Sequence, residues 1–130
     1  MRNNIKNLDS LADMDKWLDH NRITEIECVI SDLTGVPRGK ILPRNKFSHD
    51  NGMRMPESVI SATVTGNWPA HEMMHQFIGS TDKDMILVPD VSTLRLVPWA
   101  TEPVAQVIHD CYFDDGTMVD YAPRTLLKRI

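Results

Sequence analysis

Near the start of the chain, the apolar positions fall at helical spacing. Leu8, Leu11, Met14, Trp17 and Leu18 lie near one face of a helix predicted over residues 7–20. Ser10 followed by Asp13 resembles a capping box with Asp in place of the preferred Glu. A stripe of Met and aromatic residues at this spacing reads as core rather than as a ligand site. From Ile23 the period changes: Ile26, Cys28 and Ile30 alternate with Glu25, Glu27 and Ser31, the pattern of a half-buried strand. Asp32-Leu33-Thr34-Gly35 is a turn signal, and 38–42 reads as the second strand of a hairpin. Asn51-Gly52 marks another turn, and the β-branched run 58–65 predicts a third strand. Short strands over 85–88 and 93–97 are separated by Pro89-Asp90. The longest strand, 104–113, turns at Asp114-Asp115-Gly116. Pro123 stands at a first helical position, with 125–130 continuing the helix.

This order predicts an α+β domain, a small mixed sheet with a helix packed on one face. Its parts are an N-terminal helix and lead-in over 1–22, the sheet domain over 23–120, and 121–130 as the start of a helix into a further domain. The last expectation comes from Leu126-Leu127-Lys128-Arg129-Ile130, which begin an amphipathic helix. The least regular stretch, 66–84, has the length of loops that carry function or move. No internal repeat or low-complexity segment interrupts the chain.

The 130 residues suit one core, and 42% hydrophobic with 25% charged residues is ordinary for a folded domain. A net charge of -4 argues against nucleic acid as the main partner, which needs clustered Lys and Arg to displace counterions. The densest basic groups, 38–46 and 124–129, are mixed with apolar residues and prolines and read as solvated surface. No apolar run approaches the roughly 18 residues of a membrane-spanning helix, and no signal-peptide pattern opens the chain. Cys28 and Cys111 lie in apolar strand-like runs as small hydrophobes, so a reduced, cytoplasmic protein is expected.

His71-Glu72-Met73-Met74-His75 matches H-E-x-x-H, in which two His one turn apart bind zinc and the Glu activates water. Such a site needs a long helix and a third protein ligand. Pro69 and Gly79 leave the motif at most about two turns, so no metal site is assigned to His71 or His75. His109 stands two residues from Cys111, one face of a strand, and packing accounts for the pair. Neither G-x-x-x-x-G-K-[ST] nor G-x-G-x-x-G is present, so phosphates have no backbone cradle. No catalytic residue is assigned within the chain.

Three stretches, in order, resemble the glutamine synthetase family. They are Ser31-Asp32-Leu33-Thr34-Gly35-Val36-Pro37-Arg38-Gly39-Lys40; then Asp84-Met85-Ile86-Leu87-Val88-Pro89-Asp90 with Thr93-Leu94-Arg95-Leu96-Val97-Pro98-Trp99; then Asp115-Gly116 with Pro123-Arg124-Thr125-Leu126-Leu127-Lys128-Arg129. The resemblance, over 23–130, implies an amino-terminal β-grasp domain of a glutamine synthetase or γ-glutamyl-polyamine synthetase-like ligase. In that family a longer catalytic domain holds ATP and Mg or Mn. The γ-carboxylate of glutamate is phosphorylated there, and an amine displaces phosphate. The resemblance also implies a homo-oligomeric ring in which a loop of this domain completes the neighbour's active site. Here that loop is Ala62-Thr63-Val64-Thr65-Gly66-Asn67-Trp68, with Thr63, Thr65, Gly66, Asn67 and Trp68 as the substrate-binding candidates. Many glutamine synthetases carry an Asp just before the Gly of this loop, whose charge favours ammonium and assists its deprotonation. Thr63, three residues before Gly66, is read as the equivalent position, which favours an alkylamine or polyamine over ammonia. The alternative for Thr63 is a β-branched residue chosen for its strand. Trp68 either lines the site or anchors the loop to the neighbour.

Three readings follow: a ligase domain, inactive by itself; a free-standing β-grasp binding module; and a zinc hydrolase. Two measurements on the purified chain separate them from below. Metal analysis is expected to find no stoichiometric zinc. Millimolar ATP with Mg²⁺ is expected to leave the thermal midpoint unmoved, since a ligand that bound the native chain would raise it.

Overall fold

The computed structural model describes residues 10–79 and 81–130. The first helix, α1 (Leu11–His20), begins where the Asp13 backbone N–H donates to the Ser10 hydroxyl at 3.2 Å, the predicted cap. Met14 and Leu18 are buried, as the helical spacing requires, but Leu11 of the same stripe is exposed at the helix start; Leu8 lies outside the described residues. The helix ends in a Schellman arrangement. Arg22 takes the left-handed conformation, its N–H donates to the Asp19 carbonyl, and the buried Ile23 donates to Leu18, each at 3.0 Å.

Strands β1 (Glu25–Ser31) and β2 (Pro37–Pro43) form the predicted hairpin, followed by α2 (Arg44–Asp50) and β3 (Met53–Pro56). A 3₁₀ turn (Glu57–Ser61), α3 (His71–Ile78) and β4 (Asp84–Pro89) come next. After a second 3₁₀ turn (Val91–Thr93) the chain continues through β5 (Arg95–Leu96), β6 (Val104–Tyr112) and α4 (Pro123–Arg129). The strand order is β2–β1–β6–β4–β3, with β5 paired to β6. β1 runs parallel to β6, Glu25 opposite Val104 through Val29 opposite Ile108, and β5 runs antiparallel to it. The sheet is therefore mixed and the fold α+β, as expected of a β-grasp-like domain. The period-two reading of β1 holds: Ile26, Cys28 and Ile30 are buried, and the register sets Ile26 against Ala105 and Cys28 against Val107, both also buried.

Two stretches differ from expectation. Residues 58–65, read as a strand, are a 3₁₀ turn and an exposed loop, and the third strand is β3 just before them. The Asp82 carboxylate accepts both the Ser58 N–H (3.0 Å) and the Ser58 hydroxyl (2.6 Å), which caps the turn and winds it. The β-branched composition there reflects a half-buried surface, with Ile60 fully buried, and not a ladder. The strand read over 93–97 shrinks to Arg95–Leu96 because Asp90 caps Ser92 (3.1 Å) and winds 91–93. The irregular stretch 66–84 contains α3.

The chain divides into two compact units. One comprises residues 10–29, 39–53 and 88–109. In it Arg44 joins α2 to α1, donating to the Asp19 carboxylate at 3.0 Å and lying 3.3 Å from that of Asp15. Phe47 is fully buried and meets His109 edge-on, ring centroids 6.1 Å apart. The other unit comprises 30–38, 54–87 and 110–130. There α4, with Pro123 in its first turn as predicted, is held by Asp110, which accepts from Arg124 at 2.8 Å and Lys128 at 2.7 Å. Arg44 and Arg124, read as solvated surface, are thus bonded within the fold, whereas Lys128 is exposed as read.

The hairpin has one position with no room for a side chain. A Cβ on Gly39 would lie 1.8 Å from the Cys28 carbonyl oxygen across the strand pair. Gly39→Ala must push β2 away from β1 and is expected to destabilise the protein by about 3 kcal/mol, read as a lowered denaturant midpoint.

Candidate functional site

Asp32 organises the region of the loop. It is fully buried at the end of β1. Its Oδ1 accepts the Thr34 N–H (2.9 Å), the Thr34 hydroxyl (2.7 Å) and the Val36 N–H (2.9 Å), which closes the hairpin turn. Its Oδ2 accepts from Arg38 Nε at 2.9 Å. Burial pushes this carboxyl up, but the hydrogen bonds from Thr34, Arg38 and Val36 outweigh it and hold Asp32 below the ordinary aspartate value of 3.8.

The same guanidinium reaches the loop: Arg38 Nη2 donates to the Thr63 carbonyl at 2.8 Å. The Leu33 N–H also donates to the Ile60 carbonyl (2.9 Å), so the hairpin turn holds the segment at two points. The loop is then closed by its own bonds. Gly66 N–H donates to the Thr63 carbonyl and Thr63 N–H to that of Asn67, both at 2.8 Å. The Thr63 hydroxyl accepts the Asn67 N–H at 3.0 Å and lies 3.2 Å from the Thr65 hydroxyl, which accepts from the Asn67 side chain at 3.0 Å. Gly66 stands at φ +83, a conformation that favours glycine.

All five sequence-predicted site residues are therefore gathered in one exposed loop between the first 3₁₀ turn and α3. Thr63, Thr65, Gly66 and Asn67 form its frame, and Trp68 is 56% exposed. The alternative that Thr63 is a strand residue is overturned, because it sits in a hydrogen-bonded turn. Sequence reasoning missed Arg38 and Asp32 as the loop's support. The signal available was Asp32-x-Thr34, a side-chain-closed turn, with an Arg following on β2.

His71 and Glu72 open α3 and His75 follows one turn later, in a helix of eight residues. The His71 and His75 side chains lie outside the described residues. Among the described residues no group of three His, Cys, Asp or Glu is placed to hold a metal. Cys28 and Cys111 are free and buried, and burial pushes both thiols up to about 12, so neither is poised as a nucleophile. Burial likewise raises Glu57, opposed by a bond from the Tyr121 hydroxyl at 3.2 Å. No helix of the described residues is long and apolar enough to cross a membrane.

No family model matches the chain. Individual relatives do: it is 31% identical over 117 residues to a glutamine synthetase of Methanocaldococcus jannaschii, covering 88% of this chain and 25% of that protein. Over this segment the chain is similar in sequence to glutamine synthetase. Human lengsin is 32% identical over 111 residues, 84% of this chain and 21% of lengsin. The glutamate–isopropylamine ligase of a Pseudomonas species is 32% identical over 117 residues, 87% of this chain and 25% of the ligase. Among solved structures, a chain of a GmaS/ADP complex superposes with a TM-score of 0.64 at 25% identity, covering 88% of this chain and 24% of that one. The chain thus spans about a quarter of the length of the curated relatives it matches.

The electrostatics of Asp32 give a signed expectation. A carboxyl held low in the fold contributes stability that is fully present above its unfolded value and lost as pH falls through the folded one. Asp32→Asn is expected to cost about 2 kcal/mol at neutral pH. The gap between parent and variant should narrow as pH drops below about 4, measured by denaturant titration across pH.

Proposed function

We propose that the chain is the amino-terminal part of an ATP-dependent glutamate–amine ligase. It offers the loop Thr63-Val64-Thr65-Gly66-Asn67-Trp68 to a neighbouring subunit of a homo-oligomeric ring. The amine is an alkylamine or polyamine in preference to ammonia. No residue of this chain is assigned to ATP or to Mg or Mn, in keeping with the lack of any phosphate-cradle motif; those groups belong to a catalytic domain. Two free, buried thiols favour a reducing, cytoplasmic setting.

One observation carries the amine preference. The side-chain oxygen at position 63 accepts the Asn67 N–H at 3.0 Å and so shapes the turn. A carboxylate oxygen at this position would also accept the Asn67 N–H four residues on. Thr63 therefore keeps the geometry and gives up only the charge. Ammonium is small and strongly hydrated, and a site that takes it must replace that water with charge and acceptors. At an effective dielectric near 20, an ion pair at 4 Å is worth on the order of 4 kcal/mol before desolvation. A third of that is about tenfold in affinity. An alkylamine recovers the difference by burying methylenes, each worth about 0.8 kcal/mol, against apolar surface such as the exposed Trp68 and Val64. A glutamate–isopropylamine ligase stands among the chain's relatives beside glutamine synthetases, so both kinds of amine occur among them by name.

Steady-state kinetics on the intact protein test it. A primary alkylamine or polyamine is expected to show a higher kcat/KM than ammonia, and Thr63→Asp to move the ratio about tenfold towards ammonia. Ammonia surpassing every amine tried, in the parent enzyme, would refute the preference.

A further inference from the structure

We infer that Arg38 is the positioning residue of the 63–68 loop, a guanidinium aimed by Asp32 that sets the loop's shape from beneath. The functional consequence rests on the ligase reading; the geometric one does not. Each guanidinium nitrogen has its own place. Nε is bonded to Asp32 Oδ2 at 2.9 Å and Nη2 to the Thr63 carbonyl at 2.8 Å. Nη1 lies 3.6 Å from the point where a side chain on Gly66 would start. The side chain is 22% exposed, so this cation is spent largely inside the fold.

The neighbouring elements are fixed by other means, and this isolates what Arg38 does. The hairpin turn is closed through Asp32 Oδ1, together with the bonds from Asp32 N–H to the Val36 carbonyl and from Gly35 N–H to the Asp32 carbonyl, both 3.1 Å. The 3₁₀ turn is held by Asp82 on Ser58 and by the Leu33 N–H on the Ile60 carbonyl. Among the described residues, the bond from Arg38 to Thr63 ties the hairpin to the loop beyond Ile60, at the residue on which the loop's internal bonds converge. The fork geometry matters: a lysine ammonium can pair with Asp32 as a point charge but cannot hold the carboxylate and the carbonyl in one plane. Because Asp32 balances the guanidinium, Arg38 orders the loop without presenting a net positive charge to an incoming ammonium-type substrate.

Arg38→Lys separates positioning from folding, since it keeps the charge opposite Asp32. Hydrogen exchange of the chain, followed residue by residue, is expected to show the Gly66 and Asn67 amides exchanging about tenfold faster than in the parent. The Leu33 amide, bonded to Ile60, should be unchanged. Loop amides as slow as in the parent would overturn the assignment, as would equal acceleration at Leu33, which would make Arg38 an ordinary fold residue. In the intact ligase the same variant is expected to raise KM for the amine about tenfold while KM for ATP stays put. A loosened loop with an unaltered amine KM would leave Arg38's role standing and tell against the loop's part in catalysis.

Discussion

A single buried carboxylate holds the hairpin and the loop to one another. Asp32 is removed from water, and an isolated charge there would be strongly unfavourable. Three donors on one oxygen and a guanidinium on the other answer that cost. The arrangement divides its duties by atom: Oδ1 finishes a local turn, and Oδ2 reaches through Arg38 to a segment far along the chain. A hydrophobic contact could have joined the same two segments, but it would not have fixed the direction of a carbonyl. Directional bonds are suited to a loop that has to present particular groups rather than simply be covered.

The regular parts of the chain were readable because local chemistry and tertiary burial agree there. Ser10 caps α1 as its side chain predicts, the alternation of Ile26, Cys28 and Ile30 is the alternation of burial, and Pro123 opens α4. Residues 58–65 failed the same reading because a long-range partner decides their backbone. Asp82, more than twenty residues away, winds the turn that β-branched composition would make a strand. Asp82 itself adopts a positive φ, which no composition rule announces. The loop candidates were located through family resemblance, not through periodicity. Arg38 was invisible as their support because its partner, the Thr63 carbonyl, is a backbone atom and leaves no mark in side-chain patterns.

Similarity to glutamine synthetases, to lengsin and to a glutamate–isopropylamine ligase sets this domain among relatives whose names differ while a common fold persists. At position 63 the bond that shapes the turn needs only an acceptor oxygen. A hydroxyl and a carboxylate can serve the same turn, so the charge at this point can be exchanged without reworking the fold around it.

The loop's frame is built from backbone groups, Thr63, Thr65, Asn67 and Arg38, whereas Val64 (68% exposed) and Trp68 point their surface outward. Shape and surface are therefore set by different residues of the loop. Substitutions at 64 and 68 can change the size and polarity the loop presents while the bonds that frame it stay in place.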